Sequence, residues 1–296
     1  ASLGFNEMVN NPLIPETVSK LTGDPIEISN PQSVDMAYLR TSLLVSALPS
    51  ISNNIKKGEK DIAVFEIGKV FNGLQNNINN FSDFEEKKKL LFILTGKKQS
   101  RQWYSQEKEY DIYDLKGIIN SFLVKFSLDN VLNDSYNSIQ NKIYDYQFTI
   151  NLKDSVFGIG GKLNNNVLNR FDIRQPVYSF EADLSLIDKF LSDRKAFKEL
   201  LKYPKVLRDF AFLFDKSVKY ASVKEFIIEQ SSDILKSVEL FDIFENIEIG
   251  EDKKSMAFSL EYFDFNRTLT DEEVDKDFQS LIKKVITNFN AIIRGK

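Results

Sequence analysis

The sequence predicts an α+β protein built from two domains. Its length of 296 residues favours two domains rather than one. A hydrophobic fraction of 42% is enough to fill two cores. Strand-like and helix-like segments are mixed in both halves, and the second half follows the order β-α-β-β-α-β. We place the boundary near residue 198, which gives domains 1–198 and 199–296.

Composition limits the chemistry that the chain could perform. There is no histidine, which excludes Ser-His-Asp triads, His-Glu-x-x-His zinc sites and imidazole acid-base catalysis. There is no cysteine, so disulfides and thiol catalysis are excluded and a cytosolic location is favoured. The net charge of -4 does not indicate a general polyanion binder. We expect no transmembrane helix, and no signal peptide precedes Ala1, which is typical of the start of a fragment.

Four segments of the first domain are typical of strands: Asp61–Phe71, Leu90–Gly96, Tyr146–Leu152 and Val156–Leu163. We interpret Asn72–Lys89, which is Asn-rich and then charged, as a mobile loop that begins with an Asn72-Gly73 turn. Residues 113–126 have helical apolar spacing. Residues 185–204 begin as a helix and continue as a charged connector.

The second domain alternates in a different way. Its predicted strands and helices are, in order, strand 208–215, helix 220–231, strand 235–244, strand 253–263, a helix from Thr270 and a short last strand within 290–295. This β-α-β-β-α-β order predicts the split βαβ, ferredoxin-like fold. Many functions use that fold, so it does not name one.

The stretch Asn266–Phe278 explains how the last helix starts. Thr270 fits the N-cap and Glu273 the reciprocal capping position, and the acids of the first turn suit the helix dipole. An apolar stripe at helical spacing follows from Val274 onward. Capping does not explain the Arg-Thr-Leu that precedes Thr270.

Several segments, taken together and in order, resemble the C-terminal region of the bacterial phenylalanyl-tRNA synthetase β-subunit family. Three of them, "LRTSLL", "FEIGKVF" and "RTLTDEEV", form a specific signal when they occur in this sequence. The matching segments span nearly the whole chain: 3–10, 28–48, 61–71, 113–123, 203–215, 237–245 and 253–274. In this resemblance the Arg-Thr-Leu-Thr-Asp-Glu-Glu run is a signature of the family's ferredoxin-like, anticodon-binding-type domain.

The resemblance implies that the first domain is a class II synthetase-like module, an antiparallel sheet with helices, degenerate with respect to the catalytic α subunit. A working site needs an arginine just after the motif 2 strand and a glycine-rich motif 3 that ends in arginine, since a guanidinium binds phosphate oxygens bidentately. Here Asn72-Gly73 follows the strand, and 176–187 contains neither glycine nor arginine. We expect no cofactor in this chain, with ATP and Mg needed only by the full enzyme.

Three weaker motifs have ordinary structural explanations. "GIGGKL" (Gly158–Leu163) resembles a phosphate loop, but "LNNNVLN" is a poor helix start for that purpose, and a glycine-rich strand is favoured. Arg40 could contact a ligand or form a structural ion pair, and the resemblance favours packing on the partner subunit. Carboxylate pairs such as Asp111 with Asp114 lie where solvated or helix-capping charge is usual.

The second domain carries 15 lysines and arginines against 18 acids, a net charge of −3, yet its cations could converge. The predicted tRNA-binding residues are Lys205, Arg208, Lys253, Lys254, Arg267 and Arg294. Beneath them the third strand would present Ser255, Ala257, Ser259 and Glu261 on an open face, with Met256, Phe258, Leu260 and Tyr262 under the helices. Phe241 or Tyr203 would have to supply base stacking. Arg208 and Arg267 may instead fix loops through Asp209 or Asp264.

The function predicted from these observations is that of a catalytically silent part of a phenylalanine–tRNA ligase β subunit. The first domain would pack on the catalytic α subunit of an α2β2 assembly, and the second would bind the anticodon region of phenylalanine tRNA. The alternatives are a protein-interaction scaffold without RNA contact and an independent class II-type enzyme.

Overall fold

The computed structural model describes residues 3–74, 80–128, 132–135, 142–190, 201–246 and 249–294. The chain divides into two compact units, unit 1 at residues 1–195 and unit 2 at residues 196–296. Each unit has its own hydrophobic core.

Unit 1 is built on one large, mainly antiparallel sheet. Its strands are β1 (Asn6–Glu7), β2 (Leu13–Ile14), β3 (Tyr38–Leu39), β4 (Ile62–Gly73), β5 (Phe84–Thr95), β6 (Lys97–Gln99), β7 (Lys108–Glu109), β8 (Leu132–Ser135), β9 (Tyr144–Leu152), β10 (Ser155–Leu163) and β11 (Val177–Asp183). Its helices are α1 (Glu16–Ser19), α2 (Leu43–Lys56), α3 (Ile112–Lys125), α4 (Asn165–Arg170) and α5 (Ser185–Phe190), with 3-10 turns at Val34–Met36 and Phe81–Asp83. Within the described ranges the large sheet has seven strands in the order β1-β4-β5-β11-β10-β9-β8, in which β1 alone runs parallel to its neighbour. The predicted antiparallel sheet with helices is therefore confirmed.

Helices cover both faces of this sheet, as the alternation of side chains along β5 requires. Leu91 and Ile93 point to the face that packs against α2 and α4. Leu90, Phe92 and Leu94 point to the face that packs against α3. The helix predicted at 113–126 is confirmed, and Asp111 with Asp114 forms its capping box.

One prediction about the first strands was wrong. Asn72 and Gly73 do not form a turn but continue β4, and residues 84–89 belong to β5 rather than to a loop. The two strands pair from Ile62–Thr95 to Gly73–Phe84. Charged residues are tolerated here because they pair across the strands, as in the 2.6 Å contact of Lys69 Nζ with Glu86 Oε1. Residues 75–79 of the predicted loop lie outside the described residues.

Three of the family-like segments converge on a buried ion pair. Arg40 Nη1 lies 2.6 Å from Glu66 Oε1, and both side chains are at most 5% exposed. Arg40 Nε donates to the Lys69 carbonyl at 2.9 Å, and Asn10 Nδ2 donates to Glu66 Oε2 at 2.6 Å. A β-carbon at position 68 would lie 2.2 Å from Arg40 Nη2, so Gly68 makes room for the guanidinium. Arg40 is therefore an internal structural group, and its expected role in subunit packing was wrong for this side chain.

The glycine-rich segment is a strand, as predicted. β10 pairs with β9 and β11 in the centre of the sheet. A β-carbon at Gly161 would lie 2.0 Å from the Tyr146 carbonyl oxygen, so close strand packing explains that glycine. A helix does follow, but α4 has only six residues, and the Asn164 side chain caps it by accepting a hydrogen bond from Val167 N at 2.9 Å.

Unit 2 has the predicted β-α-β-β-α-β order. Its elements are β12 (Val206–Asp215), α6 (Tyr220–Gln230), β13 (Leu235–Phe244), β14 (Lys253–Tyr262), α7 (Asp271–Phe289) and β15 (Ile292–Ile293). Among the described residues they form a four-stranded sheet in the order β13-β14-β12-β15. The first and third strands, β12 and β14, are the central antiparallel pair, as the ferredoxin-like fold requires.

Both helices of unit 2 pack on one face of this sheet. The predicted inward residues of β14 (Met256, Phe258, Leu260 and Tyr262) are fully buried. Phe212 and Phe214 of β12 are buried as well, and the apolar stripe of α7 from Val274 onward completes this core. The opposite face of the sheet carries no helix of the described residues.

Candidate nucleic-acid interface

The helix-free face of the unit 2 sheet, here called the open face, is the candidate interface. The pairing of β12 with β14 places Leu207 beside Glu261, Asp209 beside Ser259 and Ala211 beside Ala257 on this face. Ser259 Oγ donates to Asp209 Oδ1 at 2.6 Å. The central strands therefore present small and polar side chains to this face.

An arginine and a phenylalanine from opposite edges meet on the open face. The guanidinium carbon of Arg294 lies 4.7 Å from the centre of the Phe244 ring. Arg294 N donates to the Ala211 carbonyl at 2.8 Å, so its backbone continues the β15 edge, whereas Phe244 ends the β13 edge beside Ser255. Since β12 and β14 lie between these edges, the two side chains must meet above them.

This contact changes the predicted open face. Ser255 and Ala257 were expected to be exposed, but they are only 3% and 8% exposed. Their small size leaves the space that Arg294 and Phe244 occupy. The open face thus carries a cation stacked on an aromatic ring, an arrangement worth about 0.5–2 kcal/mol. We call this pair the Arg294–Phe244 platform.

Two further predicted cations lie on the open-face side, and both are paired. Lys205 Nζ lies 2.8 Å from Glu261 Oε1, and Lys253 Nζ lies 2.6 Å from Asp215 Oδ1. Exposed ion pairs of this kind contribute little to stability and exchange readily with solvent. They reduce the net positive charge of the face without blocking access to it.

Arg208 and Arg267 lie elsewhere, at the start of α7. Arg208 contacts Asp271 and Asp275 at 2.9 Å each, and these hydrogen bonds raise the pKa of its guanidinium. Arg267 forms a two-pronged contact with Glu273, at 2.7 and 2.5 Å, which lowers the pKa of that carboxyl. The Arg-Thr-Leu-Thr-Asp-Glu-Glu run is thus a helix start in which acids of the first turn are held by arginines.

The remaining predicted residues lie apart from the platform. Lys254 Nζ donates to the Lys216 carbonyl at 2.9 Å, and its position opposite Phe214 is on the helix-covered side. Phe241 is 57% exposed at a bulge in β13, whereas Tyr203 is half-buried. The structure therefore groups Lys205, Lys253 and Arg294 and separates them from Arg208, Arg267 and Lys254.

Sequence reasoning missed Phe244 and the exposed apolar residues Leu207 and Ile292, each 58% exposed at the margins of the open face. Period-2 alternation along β13 would have assigned Phe244 to the helix side, because it has the same parity as Val238 and Leu240. The bulge between Leu240 and Asp242 reverses that parity. A bulge has no signal in this stretch of sequence.

Unit 1 contains a second concave region, next to the start of α2. A cavity of about 650 Å³ opens on the sheet, lined among others by Asn72, Lys87, Lys89 and Glu181. The Glu181 carboxylate accepts hydrogen bonds from Ser42 Oγ and, at 3.2 Å, from Leu44 N, and it lies 2.7 Å from Lys89 Nζ. A helix N-terminus and a lysine would suit a phosphate, but here a carboxylate of the chain itself occupies them.

Within the described ranges no group of three or more carboxylates is placed to hold a metal ion. No helix in the described part of the chain is both long and apolar enough to cross a membrane.

Comparison with known proteins gives two family matches. Residues 1–184 match the model of the phenylalanyl-tRNA synthetase β-chain CLM domain, and residues 202–294 match that of the ferredoxin-fold anticodon binding domain. The chain is 31% identical to the phenylalanine–tRNA ligase β subunit of Fusobacterium nucleatum over 99% of its own length and 37% of the relative. For the β subunits of Syntrophotalea carbinolica and Syntrophus aciditrophicus the identities are 30% and 29%, again over 37% of each relative. The chain thus spans little more than a third of the curated relatives that it matches.

Among solved structures, a pyrrolysyl-tRNA synthetase of Desulfitobacterium hafniense aligns with a TM-score of 0.47 and 12% identity, over 68% of this chain and 69% of that one.

Proposed function

Because the chain belongs to the phenylalanyl-tRNA synthetase β-chain family, we propose that it is a non-catalytic part of a phenylalanine–tRNA ligase. In this proposal unit 2 binds the anticodon region of phenylalanine tRNA. Unit 1 packs on the catalytic α subunit of an α2β2 assembly. Amino-acid activation and transfer take place on that α subunit, in the cytoplasm and without a membrane partner.

The observation that carries the RNA-binding part is the Arg294–Phe244 platform on a ferredoxin-like sheet. Proteins that bind single-stranded RNA stack bases on aromatic rings and guanidinium planes of an open sheet face. Small neighbours such as Ala257 and Ser259 let a backbone or base approach the sheet closely. Lys205 and Lys253 are close enough to this face to leave their carboxylates for phosphates.

Filter binding of phenylalanine tRNA at two salt concentrations tests this proposal. We expect binding that weakens as salt rises, since cations on the protein displace counterions from the phosphates. Phe244→Ala should weaken binding by about 5- to 150-fold, the usual effect of losing one stacked base. Arg294→Ala should also weaken binding and lower the salt dependence by about one counterion.

The matched control is Lys276→Ala, which removes an exposed cation from α7, on the other side of the sheet. It should leave the affinity unchanged. Equal losses for Lys276→Ala and Arg294→Ala would indicate unspecific electrostatics and contradict a site on the open face.

Unit 1 is proposed to bind no ATP. The support is twofold: no arginine follows β4 or lies in 176–187, and Glu181 occupies the anion-binding N-terminus of α2. A carboxylate at that position repels a phosphate. ATP–pyrophosphate exchange by the isolated chain would overturn this part of the proposal.

One observation favours the second candidate, a protein-interaction scaffold without RNA contact. Four of the six predicted cations, namely Lys205, Arg208, Lys253 and Arg267, are held in ion pairs with carboxylates of the chain. If tRNA binding is undetectable at low salt while the α subunit still co-purifies, the scaffold function replaces the RNA-binding one.

A further inference from the structure

A small hairpin in unit 1, here called the Trp103 hairpin (residues 97–109), presents two aromatic side chains to solvent. Its strands are β6 and β7, and at its tip Gln102 and Ser105 exchange both backbone hydrogen bonds, at 3.0 and 3.4 Å. Trp103 and Tyr104 are therefore the central residues of a tight turn. They are 95% and 69% exposed, and Trp103 is the one tryptophan of the sequence.

The hairpin is fixed at its base. Lys97 N donates to Asp61 Oδ1 at 2.7 Å, and Lys97 Nζ contacts Glu107 at 2.8 Å. Lys98 Nζ lies 2.5 Å from Asp114, whose side chain is largely buried in the first turn of α3. A tip held in this way loses little conformational freedom when it binds, which favours affinity.

The tip has the composition of a protein-binding hot spot. Tryptophan, tyrosine and arginine are the residue types that carry most binding energy at protein interfaces, and here they are Trp103, Tyr104 and Arg101. The two rings support each other edge to face, with centroids 5.3 Å apart. Residues 100–106 contain no carboxylate, and within the described residues Arg101 forms no ion pair.

The charges around the tip favour a protein partner over RNA. Of the four cations in 97–109, Lys97 and Lys98 are already neutralised by carboxylates, and Glu109 lies between Lys108 and Asp111. A nucleic-acid site needs several cations along a backbone track. One arginine beside two aromatic rings fits better in an apolar pocket with acidic residues at its rim.

We propose that the Trp103 hairpin is a contact through which unit 1 holds the catalytic α subunit, with Trp103 and Tyr104 inserted into an apolar pocket and Arg101 facing carboxylates at its rim. This inference rests on the proposed function, in which unit 1 packs on that subunit. It adds the surface used and the chemistry of the site on the partner.

The unique tryptophan allows a direct test. The full chain is produced with 5-fluorotryptophan, so that Trp103 gives one ¹⁹F resonance, and purified α subunit or phenylalanine tRNA is added separately. We expect the resonance to shift and lose its solvent isotope effect with the α subunit and to remain unchanged with tRNA. A change with tRNA alone, or no change with either, overturns the inference.

Variants measure the energetic weight of the contact. Trp103→Ala should weaken association with the α subunit at least about 30-fold, the threshold of a hot spot. Arg101→Glu should weaken it more strongly at low salt than at high salt. Val124→Ala, which shortens a side chain 50% exposed on α3, is the control and should have no effect. Because Trp103 is almost fully exposed, its loss should leave the thermal midpoint unchanged.

The outcomes separate the two levels of the proposal. If the wild-type chain and the α subunit do not associate in analytical ultracentrifugation, both the packing function and the hairpin inference fail. If they associate and Trp103→Ala binds as tightly as the wild type, the packing function stands and the hairpin inference alone is overturned.

Discussion

Replacement of Arg40 by methionine would leave the Glu66 carboxylate in the core of unit 1 without its cationic partner. The Glu66 side chain is 1% exposed, so water cannot replace the lost contact. The Lys69 carbonyl and Ser46 Oγ would lose a donor as well, at 2.9 and 3.1 Å in the wild type. Breaking a buried pair by removing one partner costs about 3–5 kcal/mol.

The same loss can be expressed as a change in thermal midpoint. For a unit of 150–250 residues, 1 kcal/mol corresponds to about 2–4 °C. Arg40→Met should therefore lower the midpoint of unit 1 by about 6–20 °C. Urea denaturation gives the free energy, and hydrogen exchange of amides in β4 and β5 assigns the loss to unit 1.

Two variants test whether burial is the cause. Lys69→Met removes a second ion pair, Lys69–Glu86, which has the same 2.6 Å separation but side chains 61% and 41% exposed, and it should cost at most about 1 kcal/mol. Arg40→Met combined with Glu66→Met should be less destabilised than Arg40→Met alone, because no charge is left unpaired. A similar, small loss for Arg40→Met and Lys69→Met would refute the reasoning.

Three further predictions concern local features. Because hydrogen bonds from Arg267 lower the pKa of Glu273, this carboxylate stabilises the fold fully above its unfolded-state value of 4.5, and the contribution is lost as the pH falls through the lower folded-state value; Arg267→Gln should return the pKa of Glu273 toward 4.5 in a ¹³C NMR titration, and an unchanged pKa would contradict the pairing. Thr270→Ala removes the side-chain cap of α7 and should cost about 1 kcal/mol in urea denaturation, whereas Thr270→Ser should cost almost nothing. Gly161→Ala places a methyl group against the Tyr146 carbonyl and should destabilise unit 1 by at least about 1–3 kcal/mol, so a wild-type thermal midpoint would show that β10 has more room than the structure indicates.

Much of the fold followed from local patterns. The cap at Thr270 and the α7 stripe gave the right helix, and the β-α-β-β-α-β order was visible because each strand of unit 2 is bounded by turn signals. Residues 84–89 were misassigned because their lysines and glutamates carry no apolar alternation. They form a strand through pairing with β4, which is a long-range interaction.

The candidate site was predicted only in part. The resemblance and the cations of unit 2 pointed to the right domain, and Arg294 was among the predicted residues. Phe244 was not, because the bulge in β13 changes the face on which it lies. The exposed Trp103 drew no attention as a sequence feature, since exposure is a property of the folded hairpin.

The sequence by itself determined which chemistries are excluded, through its lack of histidine and cysteine, and which family the chain belongs to, through ordered motifs. Only the tertiary structure decided which charges are available. Arg208 lies 63 and 67 residues before the aspartates that hold it, and Arg40 lies 26 residues before Glu66. The strength of such pairs depends on distance through space and on exclusion of water, and neither quantity is encoded in the spacing of residues along the chain.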